Sequence, residues 1–459
     1  MSSLETATRP RAAPPAARRA QLSGWGRTRR SSALLYAPHS EEQVAELLAQ
    51  APAAGMIARG AGRSYGDPAQ NADGAVVEMT ALDRIDAPDA SRGEVRVQAG
   101  ATLGRVLEAL ARDSLTLPVV PGTSHVTVGG AIAADVHGKN HPSAGSFGRH
   151  VSALELLTPA GERLLVSTDS EPELFAATLG GMGLTGLICA ATLRAVPLRA
   201  PYALADVERV ATLEDALGLI AEAPHSHAIA WLDLLAARRG FARAVVTRSR
   251  EGDGVPERAL RVGAGPHPGV PERFPGGLLR PALVRAFNEA QWQRAARPLR
   301  ERPISVDAQL FPLDRIERWN NLYGPDGLVQ YQFAVPAGRE RTLRSVLEAL
   351  RAERLPMYLA TVKRLGAAST GQLSFPLPGW TLAIDFPAGA AGLAAALDRA
   401  DELVVSVGGR VYLAKDARMR SEMLAAMYPQ LDRFAAARSR VDPHGLLRSD
   451  LARRLGMVA

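Results

Sequence analysis

Cysteine is almost missing from this 459-residue chain, where Cys189 stands alone. One thiol excludes a disulfide framework and any cluster of thiolate metal ligands. Lysine is nearly as scarce: of 54 basic residues only Lys139, Lys363 and Lys415 are not arginine. Where arginine serves every routine positive charge, three retained lysines mark candidate positions for a compact ammonium, or for one that can lose its proton. Chance retention is the plain alternative. No run of 18 or more apolar residues occurs, and the longest, "AGAAGLAAAL", has the length of a buried helix. The arginines near the N-terminus are followed by no apolar segment, so neither a Sec nor a twin-arginine signal is recognisable. The expectation is a protein made in the cytoplasm that stays there or works peripherally at the inner membrane, a periplasmic face being compatible.

Charge of one sign is also concentrated rather than spread. The formal net charge is +7, but seven arginines and a single acid fall within residues 1–31, in a segment containing "RPRAAPPAARRA". Residues 1–20 therefore read as a disordered, solvated basic arm, and the remaining body is nearly neutral. That balance argues against a broad nucleic-acid-binding face. With 47% hydrophobic and 22% charged residues the body is an ordinary globular chain. Its length exceeds the ~100–200 residues typical of one domain and implies two domains or one large two-part fold.

What is present divides near residue 198. "SEEQVAELLAQ" predicts a helix capped by Ser40, with Val44, Leu47 and Leu48 on its inner face, and "TLGRVLEALARDS" a helix capped by Thr102. "MIARG", "GAVVEMTAL" and "GEVRVQAG" read as strands, and "LELLTPAGERLLV" as a hairpin turning at Pro159, Ala160 and Gly161. From about 200 to 405, helices such as "RTLRSVLEALRAERL" alternate with expected strands "ISVDAQLFP", "LVQYQFAVP" and "TLAIDFP". This pattern predicts an α+β protein with an antiparallel, helix-backed sheet in its second part. Between them, residues 271–303 carry seven Arg against three Glu, with Leu279, Leu283, Phe287 and Trp292 as apolar members. Such a stretch suits an anionic membrane surface or an ordinary packed helix and loop.

Three glycine-rich loops stand out: "RGAGRSYGD" at 59–67, Pro121 to Gly148, and "LGGMGLTG" at 179–186. The first has the spacing G-x-G-x-x-x-G and no long helix directly after it, so it is not a dinucleotide fingerprint, and "HGKN" lacks the residues of a Walker loop. Glycine turns otherwise serve as plain turns or as backbone concavities that accept anions, and converging loops can hold a pyrophosphate. His137 and His141 are four apart, but no Glu of a metalloprotease pair accompanies them and Gly138 intervenes, so no metal site is expected.

Together "RGAGRSYGD", "VVPGTSHVTVGGAIAADVHGKNH", "GSFG", "GGMGLTG" and "GGRVYLAKDAR" resemble FAD-linked oxidases of the vanillyl-alcohol-oxidase type. "TVGGAIAADVHGKNHPSAGSFG", "LVQYQF", "LSFPLPGW", "YLAKDAR", "MYP" and "SDLARRL" resemble the decaprenylphosphoryl-β-D-ribose 2-oxidase family in particular, over about Leu22 to Leu455. The resemblance implies a two-subdomain FAD-binding domain over 21–198, completed by 409–459, and an inserted substrate domain over 199–408. FAD would touch Ala58, Arg59, Gly60, Ala61, Gly62, Arg63, Ser64, Tyr65, Gly66, Asp67 and Pro68, then Gly122, Thr127, Val128, Gly129, Gly130, Ala134, Asp135, Val136, His137, Ile188 and Tyr412. Relatives with covalent flavin often carry histidine where this chain has Arg63, so noncovalent FAD is implied. Members commonly have cysteine where this chain has Ala383.

Oxidising a secondary alcohol removes a hydride from carbon, which the flavin accepts, and a proton from oxygen, for which the protein supplies a base. Lys415 is the first candidate for that base, since a desolvated lysine can be deprotonated and an arginine cannot. Tyr65 and His137 complete the catalytic set, and Tyr331, Gln332, Lys363 and Ala383 are expected beside Lys415 around the substrate. The implied substrate is a polyprenyl-phosphoryl ribose, whose 2-keto product would pass to a partner reductase for cell-wall arabinan. An aldonolactone or alditol oxidase using oxygen, and a glycolipid-binding protein that has kept only the fold, stand as alternatives.

Overall fold

A computed structural model describes residues 14–222, 226–236, 242–253, 267–276 and 279–458. The basic arm falls largely on residues outside that description. Its end does not: Arg18–Ser23 is a strand, so the arm is shorter than residues 1–20. Every residue of that strand pairs with Arg30–Tyr36, and the ladder outweighs the polar composition of "RRAQLS".

The first part holds two four-stranded sheets. One has the order Arg18–Ser23, Arg30–Tyr36, Ala75–Glu78, Met56–Arg59, antiparallel at its first pair and parallel after it. Helix Glu41–Ala49 covers it, with Ser40 capping the Gln43 amide and with Val44, Leu47 and Leu48 buried against Met56, Ala75 and Val77. The other sheet is antiparallel, in the order Glu94–Gln98, Leu187–Arg194, Val151–Leu157, Arg163–Val166, and its last pair is the expected hairpin, with Gly161 left-handed at φ +81°. Helix Leu103–Ala111 starts at Thr102 as expected.

The second part is one antiparallel sheet of eight strands, in the order Leu299–Ser305, Tyr202–Val210, Arg243–Glu251, His227–Asp233, Ala360–Leu365, Gly379–Pro387, Leu328–Pro336, Arg410–Val411. Its two faces follow from the period-2 alternation of strand side chains. Ala230, Leu232, Ala244, Val246, Val362, Leu382 and Phe333 are all buried, on the side of helices Leu213–Ala221, Arg341–Ala352 and Leu393–Val405. Each buried Leu or Val contributes about 1.5–3 kcal/mol relative to exposure. The alternate residues line a cavity. "ISVDAQLFP" is strand only at its start: the Ser305 hydroxyl accepts from the Ala308 amide, and Val306–Leu310 is helical.

The C-terminal segment belongs to both parts. Arg410–Val411 closes the large sheet beside Leu328–Pro336, whereas Leu447 forms a parallel bridge with Met56 at the edge of the first.

Candidate active site

The three glycine loops converge. A side chain at Gly60 would lie 2.1 Å from the Thr127 hydroxyl, so the first two loops touch, and the third is tied to the second by the Gly180 and Met182 amides bonding the Ile132 and Ala133 carbonyls. The first loop is also stitched to the N-terminal segment, where the Trp25 and Gly26 amides donate to the carbonyls of Ser64 and Tyr65. On its far side the Tyr65 amide donates to the Ala414 carbonyl at 2.9 Å. A side chain at Gly66 would sit 1.7 Å from the Asp416 carbonyl oxygen, so only glycine allows this approach. Arg454 completes the junction: its guanidinium, itself mostly buried, reaches both oxygens of Asp67 at 2.7 and 3.1 Å and Asp416 at 2.8 Å, and the two carboxylates are nearly fully buried.

Between the loops and the large sheet lies a cavity of about 1160 Å³. That exceeds the 300–1,000 Å³ of a typical single-ligand site and leaves room for two molecules. All three lysines of the chain line it. Lys415 Nζ lies 3.6 Å from the centre of the Tyr65 ring. Burial drives its pKa down to about 7, with Lys363 adding to the effect and Asp385 opposing it. Burial also lowers Lys363 to about 8 and, with help from Lys363, Lys139 to about 7. The Lys139 ammonium donates to the backbone carbonyls of Gln309 and Leu310.

His137 packs against both Phe375 and Tyr412, each 5.5 Å from it centre to centre, and its Nε2 lies 3.2 Å from the Gln332 amide nitrogen. Its Nδ1 is buried with no hydrogen-bond partner among the described residues, and burial, with Lys363, His141 and Lys415 nearby, disfavours the charged ring. Tyr412 stacks on Phe375 at 4.6 Å and donates to the Ala134 carbonyl. Asp385 is fully buried next to this group. Burial raises it to about 7 against the pull of Gln330 and Lys415, and Gln330 donates to its Oδ1 at 2.6 Å. Burial lowers the Lys415 amine and the His137 imidazole and keeps the Tyr65 hydroxyl protonated, so the site holds a candidate base in Lys415, with Asp385 as the carboxyl group that faces it.

Residues 32–167 match the FAD binding domain family, and residues 394–455 match D-arabinono-1,4-lactone oxidase. Over 451 residues, 95% of this chain and 98% of the relative, the sequence is 38% identical to the decaprenylphosphoryl-β-D-ribose oxidase of Mycolicibacterium smegmatis. The chain belongs to the decaprenylphosphoryl-β-D-ribose oxidase family. It is an FAD-dependent oxidoreductase acting on a CH–OH group. More distant likeness extends to the L-gulono-1,4-lactone dehydrogenase of Mycobacterium tuberculosis, 27% identical over 91% of this chain and 94% of that one. The L-gulonolactone oxidase of Bos taurus is 33% identical over 182 residues, 39% of this chain and 40% of its own.

The loops of this family member fit a flavin dinucleotide. Ala61, Gly62, Arg63 and Ser64 line the cavity, and their amides donate to no acceptor among the described residues, leaving a row of donors suited to a pyrophosphate. Gly62 is left-handed at φ +65°, which lets the chain curl there. Ala58, Gly60, Tyr65, Pro68, Gly122, Thr127, Gly129, Gly130, Ala134, Val136, His137, Ile188 and Tyr412 line the same cavity, as do Gln332, Lys363, Ala383 and Lys415.

Six expected site residues do not. The Arg59 guanidinium bonds the carbonyls of Ser23 and Ala69, and Asp67 is taken by Arg454. Gly66 is filled by the Asp416 backbone, and Val128 is packed in the core. Asp135, left-handed at φ 38°, turns its carboxylate away to accept from Ser146, Ser374 and the Gly148 amide. Tyr331 is on the helix side of its strand, donating to Asp401 at 3.0 Å, because its neighbours Gln330 and Gln332 point into the cavity. Sequence reasoning missed Trp25, Gln330, Trp231, Asp314 and Asp385, and did not place Lys139 in the site. Alternation from Gln332 was the signal for Gln330, whereas nothing local marks Trp25, over which the Arg63 guanidinium stacks at 4.2 Å.

A lysine whose folded pKa is lowered destabilises the fold fully below that pKa, and the penalty fades as pH rises to its ordinary value of 10.5. Lys415→Met is therefore expected to be more stable than the parent chain in denaturant titrations at pH 6, with an advantage that shrinks by pH 9.5. Removing the charge of Arg454 strands two buried carboxylates. Arg454→Met should cost about 3–5 kcal/mol in the same measurement, whereas Arg454→Lys should recover part of the loss.

Proposed function

We propose that this oxidase converts the 2-hydroxyl of a polyprenyl-phosphoryl-β-D-ribose to the 2-keto sugar. The observation that carries the reading is the gathering of the chain's three lysines on one cavity, with Lys415 over Tyr65 and lowered to about 7. Bound FAD supplies the acceptor for the hydride leaving C2. The chain's own residues handle the proton: neutral Lys415 takes it from the 2-hydroxyl at Nζ, and the Tyr65 ring supports the ammonium that results. Gln332 and neutral His137 orient the sugar, and Lys363, the least lowered of the three lysines, supplies positive charge for the phosphodiester, with Lys139 as a second donor on the same cavity. Arg63, held over Trp25, occupies the place from which related flavins are tethered, so the FAD is noncovalent.

The ketone must next be reduced from the opposite face, which calls for a reductase acting on a lipid-linked keto sugar. A lactone or alditol oxidase draws support from the match of residues 394–455. An uncharged lactone, however, leaves Lys363 without an anionic counterpart in the cavity, so the phosphate-bearing substrate is preferred.

A polyprenyl tail keeps its substrate at a bilayer. Leu283, Phe287 and Ile316 are strongly exposed, and Phe287 and Ile316 also line the cavity. In the sequence Leu283 and Phe287 are flanked by Arg280 and Arg285, and Ile316 by Arg315 and Arg318, a composition suited to peripheral contact with anionic lipid. No helix among the described residues is long and apolar enough to cross a membrane.

Anaerobic mixing of the FAD-loaded protein with polyprenyl-phosphoryl ribose should bleach the flavin's yellow band. Catalytic efficiency should rise with pH through about 7 as Lys415 loses its proton, and Lys415→Met should cost at least about 100-fold in rate. The protein should also sediment with vesicles containing anionic lipid, be released by salt, and bind more weakly as Phe287→Ser.

A further inference from the structure

The cavity extends well beyond the neighbourhood of Lys415, and sheet register shows in which direction. Gln332, Ala383, Thr361, Trp231 and Val245 occupy paired positions on five adjacent strands, so they form one row across the cavity face. At ~4.8 Å per strand, Trp231 is about 14 Å from Gln332. The far end of the row changes character. Ile229 and Trp231 on one strand and Val245 on the next give an apolar floor, and Leu313 and Pro312 line the same space.

Beyond that floor the paired residues Asp233 and Arg243 anchor helix Pro281–Arg294: Asn288 donates to Asp233 at 2.7 Å, and Arg243 bridges Asp233 and Glu289. The anchor fixes Phe287, which lines the cavity while remaining 58% exposed, at its mouth.

We infer that this arm, from Trp231 and Ile229 past Val245 to Phe287, is the binding site for the first isoprene units of a lipid-linked phosphate. The inference rests on the reading of the substrate given above and adds the path of the tail. The arm joins the lysine-lined part of the cavity to the surface that carries Leu283, Phe287 and Ile316. An isoprenoid chain attached to a phosphate held by Lys363 or Lys139 can thus leave along Trp231, Ile229, Val245 and Phe287, with the uncharged Thr361, Thr247 and Gln291 beside that path. Each buried methylene contributes about 0.8 kcal/mol, so a few units matter to affinity.

The test uses the FAD-loaded enzyme and farnesyl phosphate, which has a tail but no sugar to oxidise. Calorimetric titration should show it binding at least 10-fold more tightly than inorganic phosphate. Ile229→Asn and Phe287→Glu should each weaken farnesyl phosphate at least 10-fold and leave inorganic phosphate unchanged. Phe287 is at the surface, so its replacement keeps the test valid if Ile229→Asn does not fold. Equal affinity for the two ligands, or no effect of Phe287→Glu, overturns the inference. Tight, variant-sensitive binding of farnesyl phosphate without bleaching by polyprenyl-phosphoryl ribose would overturn the oxidation reaction while the tail site stands.

Discussion

The backbone hydrogen bond from the Tyr65 amide to the Ala414 carbonyl is the constraint on which the site depends. It joins the first glycine loop to the turn that carries Lys415, two segments from opposite ends of the chain. The contact is close enough to require glycine at position 66, and it brings Lys415 alongside Tyr65, over whose ring the ammonium lies. Arg454 neutralises the acids on either side of the seam. The result is a lysine whose backbone is anchored on both sides and whose ammonium end rests on the Tyr65 ring, which narrows the range of its distance to a substrate hydroxyl.

Placing three lysines around one cavity is unfavourable for the fold. Burial and mutual repulsion both disfavour the charged forms, and Asp385 is the carboxylate that offsets this for Lys415. The cost is tolerated because it yields a neutral amine near pH 7 and a field that favours an anionic substrate. The same logic explains Asp385 itself, whose carboxyl burial raises to about 7, with Gln330 and Lys415 limiting the rise.

The eight-stranded sheet divides labour between its faces. One set of alternate residues packs on helices, and the other forms the floor of the cavity. A shift of one residue in the Leu328–Pro336 strand would exchange Gln332 for Tyr331 and empty the site of its hydrogen-bonding amides. The pairing with Gly379–Pro387 over the whole strand prevents that slip and also sets Ala383 beside Gln332.

The sequence by itself determined the local structure and the kind of site. The Ser40 and Thr102 caps, the hairpin at Gly161 and the glycine loops were legible because each rests on neighbours a few residues away. The scarcity of lysine was legible too, because composition needs no coordinates. Tertiary structure alone decided which of those residues meet. It turned Asp67, Asp135 and Tyr331 away from the cavity, since buried carboxylates seek the nearest donors and a strand can offer only alternate side chains to one face. It brought Lys139, Trp25 and Trp231 in, because loop convergence and strand register depend on contacts between distant segments that no local pattern records.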